Sequence, residues 1–264
     1  MVDNLRAEGI DHINIDLIYG LPHQTEASFQ ETLETVIAMD PDRLSVFNYA
    51  HMPDRFRSQA HIDAATLPSP EAKLAILENT INTLLAAGYA YIGMDHFAKP
   101  DDELALAQQN GQLHRNFQGY TTHSDCDLVA MGVSSISQIG RVYYQNEHDI
   151  KAYSAAVADK GYAVKRGVTM NDDDVLRREV ITQLICQFEL DIRKIEERFA
   201  INFADYFAQE QAELAQFEQD GLIQTENNII SVTPAGRLLI RRICMAFDAY
   251  IPKKQPTSGF SRII

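Results

Sequence analysis

The sequence predicts an α/β chain in two parts: an incomplete sheet of parallel strands with crossover helices, then a mostly helical domain with a small hairpin. Three observations carry this reading. Strand-like alternation gives way to helical stripes three times in succession before residue 110. From about Asn171 helical stripes dominate, broken by one hairpin signature. The charge divides in the same way: residues 1–174 hold 12 Lys and Arg against 25 Asp and Glu, whereas residues 175–264 hold 11 against 12.

The first unit opens with Ile13, Ile15 and Leu17 alternating with Asn14 and Asp16, a period-two strand that Gly20-Leu21-Pro22 breaks. A helix over Glu26–Met39 follows, with Phe29, Leu33, Val36 and Ile37 on one stripe and Pro41 beyond its end. Leu44–Ala50 is the second strand, rich in β-branched and aromatic residues. Ser69-Pro70 opens a long helix, since serine suits the N-cap and proline the first turn. Its stripe is Leu74, Leu77, Ile81 and Leu84, and Gly88 is its expected cap. Tyr89–Met94 is a third strand and Asp101–Gln109 a third, shorter helix. Strand–helix units in series form parallel sheets whose ligands lie at the carboxyl ends of the strands. That rule selects Asp16 with Tyr19-Gly20, Asn48–His51 and Met94–His96. Three units cannot close an eight-stranded barrel, so the sheet is either open or part of a larger one.

Residues 111–150 read as a ligand-lining segment. Leu113–Thr122 mixes aromatic, amide and hydroxyl groups, Gly132–Gly140 is small and serine-rich, and Val142–Tyr144 is a short strand. Helices are expected over Asp149–Asp159, Val175–Phe188, Ile192–Phe199 and Phe203–Gln219. Asn171 followed by Asp172, Asp173 and Asp174 places negative charge at a helix start, where the dipole favours it. Leu222–Gln224, a turn at Asn227-Asn228 and Ile229–Val232 predict a hairpin. Thr233-Pro234 then starts a last helix with Leu238, Leu239 and Ile243, an arrangement resembling a winged helix. The basic tail Pro252–Ile264 is expected to be mobile or docked.

Composition narrows the function. At 264 residues and 45% hydrophobic content the chain can bury a real core without disulfides. No apolar run is long enough to span a bilayer, and no secretory signal opens the chain. Three dispersed cysteines suit a reducing cytosol, so a cytoplasmic location is expected. A net charge of −14 repels phosphate backbones, and no arginine-lined recognition helix accompanies the hairpin. Neither nucleic acid nor membrane is therefore an expected partner.

Among candidate residues, Asp16 is a carboxylate inside an apolar strand, an acceptor for ligand hydroxyl or amino groups or a group satisfied by backbone. His51, His96 and His114 fall near strand tips or in the next loop, without metal-ligand spacing. Cys126 lies between Asp125 and Asp127, carboxylates that disfavour a thiolate, and Cys186 and Cys244 read as core. In Asn116–Thr122, Gln118 can read a donor and an acceptor together, while Phe117 and Tyr120 can stack on a flat ring. A nucleoside and a porphyrin-like ligand both suit these groups.

Four strings then carry a resemblance: Asn14–Pro22 (NIDLIYGLP), Ser45–His51 (SVFNYAH), Gly93–Phe97 (GMDHF) and His114–Thr122 (HRNFQGYTT). In this order they resemble the oxygen-independent coproporphyrinogen III oxidases, radical S-adenosylmethionine (SAM) enzymes of haem biosynthesis, and the resemblance runs to Phe260-Ser261-Arg262. It implies a partial (β/α) radical-SAM barrel over residues 1–165 and a helical, winged-helix-like C-terminal domain over 166–264. It implies two bound SAM molecules and a [4Fe-4S] cluster. It also implies oxidative decarboxylation of two propionates of coproporphyrinogen III, giving the vinyl groups of protoporphyrinogen IX by way of a SAM-derived radical. On matching positions Asp16 would contact one SAM, Ala50 and Ile136 would line the site of the SAM on the cluster, and Phe117 and Gln118 would add contacts. The family's Cys-x-x-x-Cys-x-x-Cys motif is absent from this sequence. The chain therefore reads as the C-terminal part of such an enzyme. By itself it is expected to be inactive and, although the family is monomeric, prone to self-association. The alternative is a non-catalytic module that binds SAM or a tetrapyrrole. A winged-helix regulator is a third class, and the charge argues against it.

Overall fold

The computed structural model describes residues 1–124 and 126–251, so the expectation for the basic tail falls outside the described residues. The chain divides into two compact units. The first comprises 1–111 with 237–242; the second comprises 112–236 with 243–251. Residues 112–165 make contacts within the second unit: Tyr120 donates its hydroxyl hydrogen to the Ile185 carbonyl at 3.0 Å, and Gln187 donates to that of Leu113 at 3.1 Å.

In the first unit α1 (Val2–Ala7) precedes β1 (Asn14–Tyr19), α2 (Glu26–Ala38), β2 (Arg43–Asn48), α3 (Pro70–Ala86), β3 (Ala90–Gly93), β4 (His96–Ala98) and α4 (Glu103–Gln109). The helix starts follow their caps: Thr25 and Ser28 form a capping box, Ser69 accepts from the Ala72 N–H ahead of Pro70, and Asp102 accepts from that of Leu104. The sheet order is β1-β2-β4-β3. β1 and β2 are parallel, with Asp16 opposite Ser45 and Tyr19 opposite Asn48. β4 is antiparallel to both β2 and β3, so the sheet is mixed rather than wholly parallel. The expectation missed β4 because Met94–His96 reads as a strand tip. Gly93 and Met94 instead take positive φ values of 138° and 53°, which turns the chain straight back, and the Asp95 carbonyl then accepts from the Val46 N–H at 2.7 Å.

Both crossover helices cover the same face. Ile15, Leu17, Tyr19, Leu44 and Val46 pack with Phe29, Leu33 and Val36 of α2 and Ile76, Leu77 and Leu84 of α3, and Leu238 joins this core. The opposite face carries Asn14, Asp16 and Ile18 of β1 beside Ser45 and Phe47 of β2.

The second unit begins with two hairpins, β5 (His114–Asn116) with β6 (Gly119–Thr121) and β7 (Ile136–Ile139) with β8 (Val142–Asn146). After α5 (Ile150–Lys160), β9 (Val164–Thr169) joins the outer side of β8. β9 is exposed on both faces, so it lacks the alternation that reveals a strand in sequence. α6 (Asp172–Gln187) starts at a capping box of Asn171 and Asp174 and buries Leu176, Val180 and Leu184, one residue per turn. β10 (Glu189–Asp191), α7 (Ile192–Phe199), α8 (Phe203–Tyr206), α9 (Gln211–Gln219), β11 (Ile223–Glu226), β12 (Ile229–Val232), α10 (Pro234–Leu238) and α11 (Ile240–Met245) follow.

The expected helix over Phe203–Gln219 is therefore two helices. Phe207 leaves helical geometry to pack its ring against Phe203 and Phe247, with centroids 4.7 and 5.2 Å away, and the Glu210 side chain turns inward to Arg177. The last helix is likewise interrupted, at Leu239. Asn227 and Asn228, both with positive φ, make the tight turn of the β11–β12 hairpin. Gly236 has no room for a side chain, because a Cβ would lie 2.0 Å from the Leu222 carbonyl oxygen.

Candidate functional site

Two places carry convergent polar groups, one in each unit. In the first unit they lie where β1 and β2 end. Gly20 follows β1 with φ 86°, and a Cβ there would sit 3.0 Å from Lys73 Cε and 3.3 Å from Asn48 Oδ1. Glycine takes this positive φ without strain, and a side chain here would press on both groups. The Gln24 side chain then accepts from the Gly20 N–H at 2.6 Å. Lys73 reaches the Tyr49 carbonyl at 3.4 Å, and burial holds its ammonium below the ordinary lysine range. Asn48 Oδ1 is buried with no hydrogen-bond partner, a cost that a donor from a ligand would remove. Tyr19, beneath the turn, has its pKa pushed up to about 12, first by burial and then by the Asp95 carboxylate.

Asp16 is not buried at the strand end. It is the third residue of β1, exposed, and accepts a hydrogen bond from Asn14 Nδ2 at 2.7 Å. Its surroundings differ from the expectation because β1 is the edge of the sheet, and both helices pack on the face that Asp16 turns away from. Ala50 lies two residues beyond β2, exposed, with its carbonyl accepting from Gln59 Nε2 at 3.1 Å. Since Asp16 is level with Ser45, the two are separated by five residues along the strand direction.

In the second unit a cavity of about 820 Å³ lies between the β5–β6 turn, the β7–β8–β9 sheet, α6 and residues 247–250. One face of α6 forms a wall, with Asp174, Arg177, Arg178, Ile181, Thr182 and Ile185 recurring at helical spacing. Phe117 and Gln118 are the turn residues of the β5–β6 hairpin, and the Asn116 side chain closes the turn by accepting from the Gln118 N–H at 2.8 Å. Phe117 is 56% exposed and lines the cavity, edge-on to Tyr143 at 5.3 Å between centroids. Gln118 is exposed. Ile136 shares a face of β7 with Gln138, a cavity residue opposite Tyr143. The second unit thus brings Phe117 and Ile136 to related surfaces, while Asp16 and Ala50 belong to the first.

Arg177 fixes one end of the wall. Its Nε bonds both oxygens of Asp173 at 2.9 Å, and its Nη1 bonds Glu210 at 3.2 Å and the Phe247 carbonyl at 3.1 Å. Burial pulls its pKa down, but these carboxylates outweigh that and raise it. Among the described residues no group of three His, Cys, Asp or Glu is placed to hold a metal ion, and no helix is long and apolar enough to cross a membrane. Burial pushes the Cys186 and Cys244 thiols up to about 12, away from any thiolate role. Arg178 and Tyr143 were not selected from sequence. Arg115 was not selected either, although a lone cation in an aromatic string is a signal that could have found it.

Comparison with known proteins bears on this geometry. Residues 170–239 match the model of the HemN C-terminal domain. The chain is 46% identical over 261 residues to an oxygen-independent coproporphyrinogen III oxidase of Thermostichus vulcanus, and covers 80% of that protein. The chain belongs to the oxygen-independent coproporphyrinogen III oxidase family. Members from Pseudomonas aeruginosa and Escherichia coli are 56% and 53% identical over 96% and 100% of the chain. It spans 55% and 58% of their lengths, a little over half of each. The solved structure of the Escherichia coli coproporphyrinogen III oxidase, described as a radical SAM enzyme, superposes with a TM-score of 0.92 at 54% identity, over 95% of this chain and 58% of that one.

Proposed function

We propose that this chain is the substrate- and SAM-facing part of an oxygen-independent coproporphyrinogen III oxidase. The full reaction removes one hydrogen atom, one electron and carbon dioxide from each of two propionate arms of coproporphyrinogen III, the electron passing to an acceptor, and leaves the vinyl groups of protoporphyrinogen IX. The observation that carries this reading is 53% identity across all 264 residues to the Escherichia coli family member.

In this reading residues 1–165 are part of a radical-SAM barrel and 166–264 the winged-helix-like C-terminal domain. Two crossover helices on one face, with β1 and β2 advancing in one direction, support a barrel-type winding, since a doubly wound sheet carries helices on both faces. The uncovered face, with Asp16, Ser45 and Phe47, would then look inward.

Asp16, Ala50, Ile136, Phe117 and Gln118 are the proposed contacts to the two SAM molecules. The groups present fit such a ligand: the Asp16 carboxylate is exposed, Asn48 Oδ1 lacks a donor, and the Phe117 ring is 56% exposed. When bound, SAM supplies the radical that takes hydrogen from the substrate. The chain's own residues would orient the adenine and the amino-acid ends. The cluster does not fit this chain, because Cys186 and Cys244 are buried and Cys126 is exposed.

The test joins this chain to the cluster-bearing part of the Escherichia coli family member and reconstitutes iron and sulfide without oxygen. The chimera is expected to convert coproporphyrinogen III to protoporphyrinogen IX, and the chain alone to show neither turnover nor iron–sulfur absorbance. A chimera that cleaves SAM but leaves coproporphyrinogen untouched would refute the assignment.

A further inference from the structure

The cavity of the second unit holds unanswered positive charge. Arg115 and Arg178 both line it, and among the described residues neither forms an ion pair. Arg115 Nη1 is buried without a hydrogen-bond acceptor, and its guanidinium carbon lies 4.9 Å from the centre of the Tyr120 ring. Arg178 Nη1 meets only a neutral partner, the Tyr143 hydroxyl at 3.2 Å. Arg177 is the contrast, since its charge is answered by Asp173 and Glu210.

Two carboxylates also line the cavity, and each is already engaged. Asp174 accepts from the Tyr250 hydroxyl at 2.9 Å and the Asn171 N–H at 2.9 Å, and Asp248 accepts from the Tyr250 N–H at 2.8 Å. Carboxylates therefore gather around Tyr250, whereas Arg178 meets Tyr143 and Arg115 lies over Tyr120. Much of the remaining wall is apolar: Val168, Met170, Ile181, Ile185 and Phe247. A guanidinium held out of bulk water without an anion is costly, and a ligand carboxylate with bidentate geometry offsets that cost.

We propose that this cavity binds a flat, largely apolar ring bearing carboxylate arms, with Arg115 and Arg178 each receiving a carboxylate and the Tyr143 ring lying against the ring system. Resting on the function proposed above, the ligand is the tetrapyrrole substrate, held here by its propionates. A volume of about 820 Å³ is within the range of sites that enclose such molecules.

The test titrates the 264-residue chain with coproporphyrin III, a stable fluorescent tetracarboxylate, and with etioporphyrin, which has the same ring without carboxylates. The chain is expected to bind coproporphyrin at least about tenfold more tightly. Arg115→Met and Arg178→Met should each weaken it by about tenfold or more, the loss of one charge-assisted contact, while Arg178→Lys retains most of it. Should Arg115→Met fail to fold, phenylglyoxal labelling of wild-type arginines gives a second readout, and coproporphyrin should protect Arg115 and Arg178. Failure of the wild-type chain to bind, equal affinity for etioporphyrin, or affinity unchanged in both variants overturns the proposal. So does binding of SAM in the cavity with porphyrin binding indifferent to the arginines. In the chimera, turnover with an unchanged KM in Arg178→Met overturns the cavity assignment and leaves the reaction standing. Arginine-dependent porphyrin binding with an inactive chimera does the reverse.

Discussion

Replacing Arg177 by methionine tests whether the α6 wall is held by charge or by packing. Methionine keeps an apolar stem beside Phe207, over whose ring the guanidinium carbon lies at 5.3 Å. It removes the bonds to Asp173, Glu210 and the Phe247 carbonyl. Asp173 keeps the Tyr206 hydroxyl at 2.6 Å and is 37% exposed as a side chain, so its loss is small. Glu210 decides the outcome, because its side chain is only 4% exposed and loses its guanidinium partner. Removing one member of a buried pair costs about 3–5 kcal/mol. The lower end is expected here, about 3 kcal/mol, because the pair is only partly buried on the arginine side. For a chain of this size that lowers Tm by about 6–12 °C, read by circular dichroism at pH 7. Removing both charges with Arg177→Met and Glu210→Met should restore most of the loss, since an apolar pair of similar volume is close to neutral. A single variant that loses under about 1 kcal/mol, or a double variant that loses the sum of both singles, refutes the reasoning.

Two further outcomes follow from burial and edges. With Cys186 and Cys244 near 12, a thiol reagent at pH 8 should modify exposed Cys126 and leave the other two untouched until denaturant is added; fast reaction of all three would contradict their burial. β1 has no strand on its outer side among the described residues, and Ile18 on its uncovered face is 47% exposed, so the chain should associate at tens of micromolar and Ile18→Lys should reduce this in sedimentation velocity. A clean monomer at every concentration would remove the edge as a cause.

Elements whose burial alternates or recurs were legible in the sequence. β1, α2 and α3 bury one stripe each, and Thr25, Ser69 and Asn171 announce their helices through capping oxygens. What escaped had no such periodicity. β9 is wet on both faces, β4 is three residues long, and the break at Phe207 accompanies aromatic packing rather than a helix breaker. The candidate site divides along the same line. Phe117 and Gln118 stand in a visibly odd string, and Asp16 is conspicuous in an apolar strand, although its exposure depends on which face the helices cover. Arg178 gains meaning only when α6 brings it to Tyr143, thirty-five positions earlier in the chain.

The return of residues 237–242 to the first unit has a kinetic consequence. Leu238 belongs to the core built by Tyr19, Phe29 and Leu44, and Arg241 bonds Asp95 across 146 positions of sequence. All of the chain from 112 to 236 must be made before these contacts can form. Closing so long a loop adds little to the equilibrium cost, because that entropy grows only with the logarithm of length. It does raise the mean sequence separation of native contacts, which slows folding. On the ribosome the first unit therefore waits, its core one leucine short, until nearly the last turn of helix has emerged.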